Sequence, residues 1–222
     1  ISPSGELFLG YVNKILAVCQ EARRALDPEA PPAGVLKISA IESAATGRLP
    51  ALLSRYHAHY PKVQMQFGTD TWSNLVTDVV GHKLDGAIIA VNSDHPDIGK
   101  QEIYKEPLVL IASTSLGEIT SPQVLNNLNI FMWPEGCPYR QALENWLKAA
   151  KVSTPITSIA SYGTILGCVS AGAGVSLVPT GVFEQYQKIG NIKGYTFESL
   201  APIQNYFCLL YTSPSPRDLS TS

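Results

Sequence analysis

The apolar positions of the first 26 residues recur every three or four residues, as they do on one face of a helix. The stripe consists of Phe8, Tyr11, Val12, Ile15, Val18, Cys19, Ala22 and Leu26. Asp27 with Pro28, and Pro31 with Pro32, predict the end of this helix and a connector after it. A lone helix of this length is marginal in water. The stripe therefore needs a partner, either its own domain or, as the proline-rich connector favours, a second copy of the chain.

Short apolar runs alternate with helical spacing over residues 35–112. Strands are predicted over residues 35–41, 63–67, 84–90 and 108–112, and helices over 49–60 and 72–80. A strand order interrupted by helices predicts parallel pairing, with the helices on the faces of the sheet.

The same alternation returns in the second half of the chain, after a junction at residues 114–122. Strands are predicted over residues 130–133, 156–160 and 175–179, and helices over 139–150, 162–171 and 182–188. Two α/β halves of similar size are typical of the clam-shell plan of bacterial solute-binding proteins. Ligands of open α/β sheets bind beyond the carboxyl ends of the strands, so we expect one in the cleft between the halves.

Composition agrees with a folded chain and argues against a nucleic-acid surface. Hydrophobic residues make up 45% of the 222 residues and charged residues 15%, and the net charge is −2. Nucleic-acid-binding modules usually carry a basic patch. No apolar run approaches the roughly 18 residues that a membrane span requires. Four scattered cysteines form neither a zinc motif nor a disulfide framework.

Motifs of catalysis are absent from the sequence: it has no GxSxG, no HExxH and no Walker loop, and its four histidines show no ligand spacing. Gly172 and Gly174 run from a helix into a strand, whereas a dinucleotide fingerprint runs from a strand into a helix. They are interpreted as a helix stop and a close backbone approach. We expect no enzyme, no catalytic residue, no metal and no cofactor.

Two loops follow a predicted strand and open a helix, one at residues 41–47 and one at residues 136–140. The free N–H groups of a helix N-terminus hold a carboxylate or a phosphate. Ser43 and Thr46 either cap their helix or contact a ligand. Arg140 either pairs with Glu144 one turn later or turns inward to grip an anion.

The last fifteen residues differ in character from the rest and read CLLYTSPSPRDLSTS. Their first eleven resemble the translation of a transposase sequencing adapter. Residues 208–222 are therefore expected to be a non-native tail that adds no native packing beyond incidental strand pairing.

Several motifs resemble, in their order and spacing, the effector-binding domain of LysR-type transcriptional regulators. The first half contributes Gly34-Val35-Leu36-Lys37-Ile38, Glu42-Ser43-Ala44-Ala45-Thr46-Gly47-Arg48-Leu49-Pro50, Tyr60-Pro61-Lys62-Val63 and Lys83-Leu84-Asp85. The second half contributes Gly136-Cys137-Pro138-Tyr139-Arg140, Ser161-Tyr162, Ala171-Gly172-Ala173-Gly174-Val175 and Pro179. The Glu-Ser-Ala-Ala and Gly-Cys-x-Tyr-Arg motifs are similar to those of a subgroup that includes regulators of sarcosine oxidation and of cell-division genes.

The resemblance implies two Rossmann-like subdomains in a type 2 periplasmic-binding-protein-like clam-shell, preceded by a linker helix. The expected boundaries are 1–33 for the linker helix and connector, 34–112 and 113–199 for the two subdomains, and 200–207 for the start of a strand returning to the first. The effector contacts carried over are Ser43, Ala44, Thr71, Cys137, Pro138, Tyr139, Arg140 and Ser161. The helix that pairs two subunits carries Phe8, Val12, Ile15 and Val18.

The function that the resemblance implies is the sensing of a small metabolite, expected to carry a carboxylate, by a cytoplasmic transcription regulator. Its partners would be a small-molecule effector and further copies of the chain, as a dimer or tetramer, with no membrane. DNA would be bound only through a winged helix-turn-helix domain that precedes these residues. The alternative is a periplasmic solute-binding protein of a transport system, and an enzyme on the same fold comes third.

Overall fold

The computed structural model describes residues 1–26, 31–187 and 190–210. Within them lie the helices α1 Pro3–Leu26, α2 Glu42–Gly47, α3 Leu49–His59, α4 Trp72–Val80, α5 Pro138–Ala149, α6 Tyr162–Ser170 and α7 Thr180–Tyr186. The strands are β1 Gly34–Ala40, β2 Val63–Thr69, β3 Gly86–Ile89, β4 Ile98–Glu106, β5 Leu108–Ser113, β6 Ile130–Met132, β7 Ile156–Ser158, β8 Ser176–Pro179, β9 Ile192–Tyr195 and β10 Ile203–Leu210.

Two compact units divide the chain between them. Among the described residues, the first contains those of Ile1–Glu42, Ala51–Ile103 and the chain from Tyr206 to Leu210. The second contains Ser43–Pro50 and Tyr104–Asn205. The second unit therefore includes the short segment Ser43–Pro50, which carries all of α2 except Glu42 and is separated from the rest of that unit in the sequence.

The first unit is built on a five-stranded sheet with the order β2-β1-β3-β10-β4. As the alternating pattern predicts, β1 runs parallel to both β2 and β3. Helix α4 begins after Thr71, whose side chain accepts a hydrogen bond from the Asn74 N–H. It buries Leu75, Val76 and Val79, which recur at helical spacing. The apolar face of α4 explains why the sequence pattern finds this helix.

The second unit has a three-stranded antiparallel sheet, β8-β5-β9, and a parallel pair, β6 and β7. Every residue of the central strand β5 is buried. Side chains of β5, β8, β9, α6 and α7 form one core of Val109, Ile111, Tyr162, Leu166, Val169, Val178, Val182 and Ile192. The burial of this core is the main source of stability for the unit.

Two glycines after α6 have the role that their position predicts. Gly172 has φ +78°, a left-handed conformation that ends the helix. A Cβ on Gly174 would collide with the carbonyl oxygen of Asn129. The prediction of a helix stop followed by a close backbone approach is therefore confirmed.

The structure differs from the sequence pattern in the partners of several strands. The run at 108–112, predicted to close the first subdomain, is β5 and pairs with β8 and β9 in the second unit. Its pairing is antiparallel, as is that of β10 with β3. A continuous apolar run indicates a strand buried on both faces, but it does not indicate which strand lies beside it.

The hydrophobic pattern of the sequence predicts neither β4 nor β9. β4 lies at the edge of its sheet and reads IGKQEIYKE, so most of its side chains are polar and exposed. β9 has only four residues and follows a bend at Gly190 and Asn191. Neither segment has the apolar alternation on which the prediction of a strand depends.

The end of the described chain also differs from expectation. β10 continues to Leu210, and Cys208, expected to lie in a tail without native packing, is fully buried and pairs with Ala87. Residues 211–222 lie outside the described residues, as do connector residues 27–30 and residues 188–189. The adapter-like origin of the tail stays a prediction.

Candidate functional site

Two predicted effector residues that are far apart in the sequence meet in the second unit. The Ser43 hydroxyl donates a hydrogen bond to the Tyr139 hydroxyl, with 3.2 Å between the oxygens. Both side chains are buried, with 5% of Ser43 and 2% of Tyr139 exposed. Ala44, the next residue of α2, is buried as well. The first loop of the predicted site therefore lies against the start of α5.

The hydroxyl of Tyr139 is held in its neutral form. Burial raises the pKa of Tyr139 to about 12, and the hydrogen bonds of the Ser43 and Asn205 side chains oppose part of this rise. A neutral phenol both donates and accepts hydrogen bonds. The Ser43–Tyr139 pair therefore offers a ligand a polar contact that carries no charge of its own.

Because the pKa of Tyr139 is raised, we expect the folded chain to lose stability at alkaline pH. Between pH 10, where an unfolded tyrosine ionises, and about pH 12, the folded state holds a proton that the unfolded chain has lost. The contribution of Tyr139 to the free energy of unfolding should therefore be fully present below pH 10. Above pH 10 it should fall by about 1.4 kcal/mol per pH unit. Burial also raises the pKa of Tyr104, which adds a loss of the same sign. Denaturant unfolding at pH 9, 10 and 11 measures the slope.

Tyr139→Phe is the comparison that assigns the alkaline slope to this residue. The variant should lose about 0.5–1.5 kcal/mol at pH 9, because the hydrogen bond with Ser43 is gone. Above pH 10 its stability should fall less steeply than that of the wild-type chain. Equal slopes for the two proteins would show that Tyr139 titrates alike in the folded and unfolded states.

Of the two roles that the sequence leaves open for Arg140, the structure shows the pair with Glu144, and the guanidinium is also turned inward onto protein groups. It pairs with Glu144, with 2.7 Å between Nε and the carboxylate, yet the residue is only 8% exposed. Its Nη1 also donates to the Ser158 hydroxyl at 2.6 Å and to the Trp133 carbonyl at 3.1 Å. The guanidinium therefore ties the loop after β6, the helix α5 and the end of β7 to one another.

An open pocket of about 260 Å³ lies beside this arginine. Its lining is mostly polar and consists of Glu135, Gly136, Cys137, Arg140, Gln141 and Glu144. Burial raises the pKa of the Cys137 thiol, opposed by the nearby backbone N–H groups of Arg140 and Tyr139. A thiol with a raised pKa is a poor nucleophile, because the thiolate is the reactive form.

Ser161 and Thr71 are found at helix N-termini, where both act as caps. The Ser161 hydroxyl accepts from the Thr164 N–H at 3.2 Å, and Thr71 Oγ1 accepts from the Asn74 N–H at 3.5 Å. Ser161 belongs to the second unit together with Ser43 and the loop from Cys137 to Arg140. Thr71 belongs to the first unit.

The structure adds polar groups that the sequence pattern does not single out. Glu106, at the end of β4, is 2% exposed and accepts two hydrogen bonds from Arg48. Asn205 is fully buried, and within the described chain its Oδ1 has no hydrogen-bond partner. The hydrophobic pattern is weak in the segments that carry these two residues, or their hydrogen-bond partners are distant in the sequence. Only their contacts identify them.

No helix among the described residues is long and apolar enough to cross a membrane. The described ranges also hold no group of three or more His, Cys, Asp or Glu side chains placed to bind a metal ion.

Comparison with known proteins gives a consistent result. The family model described as the LysR substrate binding domain matches residues 29–219. The chain is 34% identical over 215 residues to the HTH-type transcriptional regulator YusT of Bacillus subtilis, covering 93% of this chain and 70% of that protein. It is 33% identical over 199 residues to the regulator GltR of the same organism, covering 88% and 67%.

Among solved structures, the regulatory domain of CcmR from Synechocystis PCC6803, determined in complex with 2-PG, has the same fold. It superposes with a TM-score of 0.72 at 18% sequence identity, covering 84% of this chain and 93% of that domain. The predicted α/β fold of the periplasmic-binding-protein-like type is thereby confirmed. The chain belongs to the LysR family of transcriptional regulators and carries the substrate-binding domain of that family.

Proposed function

We propose that this chain is the effector-sensing domain of a regulator whose ligand is a small carboxylate-bearing metabolite. The observation that carries the proposal is the buried hydroxyl pair of Ser43 and Tyr139 at 3.2 Å. Buried polar groups are costly unless they are satisfied. Two hydroxyls that are 96 residues apart in the sequence lie beside the buried amide of Asn205 and form a buried polar spot.

The proposed contacts are those that the family resemblance carries over. In the second unit we retain Ser43, Ala44, Cys137, Pro138, Tyr139 and Ser161 as contacts, whereas the contribution of Thr71 from the first unit remains a sequence prediction. The carboxylate would be held by hydroxyl groups and by the positive N-terminal end of α5, a helix of 12 residues. Arg140 has a different task, because its guanidinium is already bonded to Glu144, Ser158 and Trp133.

A panel of small ligands tests the proposed chemistry. Succinate, glycolate and L-glutamate are titrated calorimetrically into the chain, each beside the amide in which all its carboxylates are replaced by carboxamides. Charge-assisted hydrogen bonds contribute about 1.5–3 kcal/mol, so the amide of the tightest acid should bind about 10- to 150-fold more weakly. An amide that binds as tightly as its acid would contradict the carboxylate proposal.

We propose that the subunits of the regulator pair through α1. Phe8 is 68% exposed, Ile15 62% and Val18 62%, and together with the half-buried Val12 they form one side of this helix. An exposed apolar stripe of this kind is the pattern of a helix that pairs with another. We expect effector binding to act on this paired form of the DNA-bound regulator, by favouring one arrangement of the subunits over another.

The chain should accordingly be a homo-oligomer at micromolar concentration. Light scattering should give at least twice the monomer mass for the wild-type chain and the monomer mass for Phe8→Glu combined with Ile15→Glu. Glu6→Gln changes an exposed residue on the opposite side of α1 and should leave the mass unchanged. A wild-type chain that is a stable monomer would contradict the pairing.

The relatives bear on the alternative of a transport protein. YusT and GltR are both transcriptional regulators, so transport by a solute-binding protein is not favoured. DNA recognition is proposed for the intact regulator through a further domain, since the net charge of −2 gives this chain little attraction for phosphates.

A further inference from the structure

The carboxylate of Glu106 is buried and fully engaged. Its Oε2 accepts from Arg48 Nε at 2.7 Å, and its Oε1 accepts from Arg48 Nη2 at 2.8 Å and from the Gly181 N–H at 2.8 Å. Only 2% of the residue is exposed. Bidentate arginine–carboxylate pairs fix geometry as well as contributing energy. The pair therefore holds the two chain segments that carry it in one arrangement.

These two segments lie beside the points where the chain passes between the units. Arg48 follows α2 within Ser43–Pro50, the short segment that the first half of the chain contributes to the second unit. Glu106 lies three residues after Ile103, where the chain passes to the second unit again. The ion pair thus joins the segment that carries Ser43 to the body of the second unit.

Two glycines show how closely this segment is packed. A Cβ on Gly47 would lie 2.7 Å from the carbonyl carbon of Gly181, and a Cβ on Gly181 would lie 2.7 Å from Arg48 Nε. Real Cβ atoms do not approach other atoms so closely, so backbone lies directly on backbone here. We name the group of Gly47, Arg48, Glu106 and Gly181 the segment clamp.

Helix α2 cannot position Ser43 by itself, because it has only six residues and short helices are unstable alone. We propose that the segment clamp fixes Ser43–Pro50 on the second unit, and that Arg48 and Glu106 are thereby positioning residues for the Ser43–Tyr139 pair. Neither residue needs to touch the ligand. This inference rests on the proposed function only in so far as that pair is the effector site.

Amide hydrogen exchange of the full chain tests the clamp without any ligand. In Glu106→Gln, the amides of residues 43–49, including the Arg48 N–H bonded to the Ala44 carbonyl, should exchange at least about tenfold faster. The amides of β5, in the core of the same unit, should keep their wild-type rates. Gly47→Ala disturbs the close approach without touching the ion pair and should give the same local result.

Glu184→Gln is the matched control. Glu184 also faces Arg48, but at 3.4 Å, and its side chain is 50% exposed. It should leave all exchange rates unchanged. A Glu106→Gln variant that exchanges like the wild type, or that exchanges faster in β5 as much as in Ser43–Pro50, would overturn the clamp.

A second readout links the clamp to the site. The tightest acid among succinate, glycolate and L-glutamate should bind Glu106→Gln at least about tenfold more weakly than it binds Glu184→Gln. Faster local exchange with unchanged affinity would overturn the positioning role. Faster local exchange in a chain that binds none of the three acids would contradict the carboxylate proposal and leave the physical clamp supported.

Discussion

Arg48→Ala is expected to lower the free energy of unfolding by about 3–5 kcal/mol, the cost of removing one partner of a buried ion pair. The cost comes from Glu106, because its carboxylate stays buried with only the Gly181 N–H to stabilise its charge. The arginine itself is about one-third exposed, with 34% of its side chain accessible. Partial hydration of the vacated space should keep the loss toward the lower end of the range. Urea unfolding at neutral pH measures it.

The double variant Arg48→Met with Glu106→Leu distinguishes a buried charge from lost packing. Replacing both members of a buried pair by apolar side chains of similar size is often neutral or stabilising. We therefore expect the double variant to be more stable than Arg48→Ala. Glu184→Gln, which removes only the exposed partner of Arg48, should change stability by less than about 1 kcal/mol. A loss for Arg48→Ala as small as that of Glu184→Gln would contradict the account.

Arg140→Ala is expected to lower the free energy of unfolding by about 2–3 kcal/mol, because it leaves several polar groups without a partner. The guanidinium contacts Glu144, Ser158 and the Trp133 carbonyl, so its removal frees three segments at once. Arg140→Lys retains the charge but not the planar fork that reaches these groups. We expect the lysine variant to recover only a small part of the lost stability.

The same pair of variants decides between two roles of Arg140. If the guanidinium gripped an anionic effector directly, Arg140→Lys would retain much of the ligand affinity, and Arg140→Ala would unfold much like the wild type. If it ties the loop after β6 to α5 and β7, both variants are less stable in the absence of any ligand. Unfolding curves without ligand, followed by titration of the panel acids, separate these outcomes.

Amphipathic spacing made much of the fold predictable. Leu75, Val76 and Val79 follow a helical period, and α4 buries all three. The buried strand β5 was equally visible as a run of apolar residues, although its partners were not. Strand partners depend on contacts between distant segments, which a local period does not encode. For that reason β5 was assigned to the first half of the chain and is found in the second unit.

Part of the candidate site could likewise be predicted from the sequence, and part could not. A loop that opens a helix predicts Ser43, the family resemblance predicts Tyr139, and the two side chains are in hydrogen-bond contact. Glu106 could not be predicted, because it ends an edge strand whose side chains are mostly polar. Its partner Arg48 is 58 residues away in the sequence. Such a pair becomes visible only when the fold brings its members together.

The most direct measurement for the central claim is calorimetric titration of the tightest panel acid into three chains: wild type, Ser43→Ala and Ser54→Ala. Ser43 is buried against Tyr139, whereas Ser54 is an exposed serine of α3 and serves as the control. Loss of one neutral hydrogen bond should cost Ser43→Ala about 0.5–1.5 kcal/mol, a roughly 2- to 12-fold weaker affinity, and Ser54→Ala nothing. Equal affinities in all three chains would show that the ligand binds elsewhere and would contradict the proposed effector site.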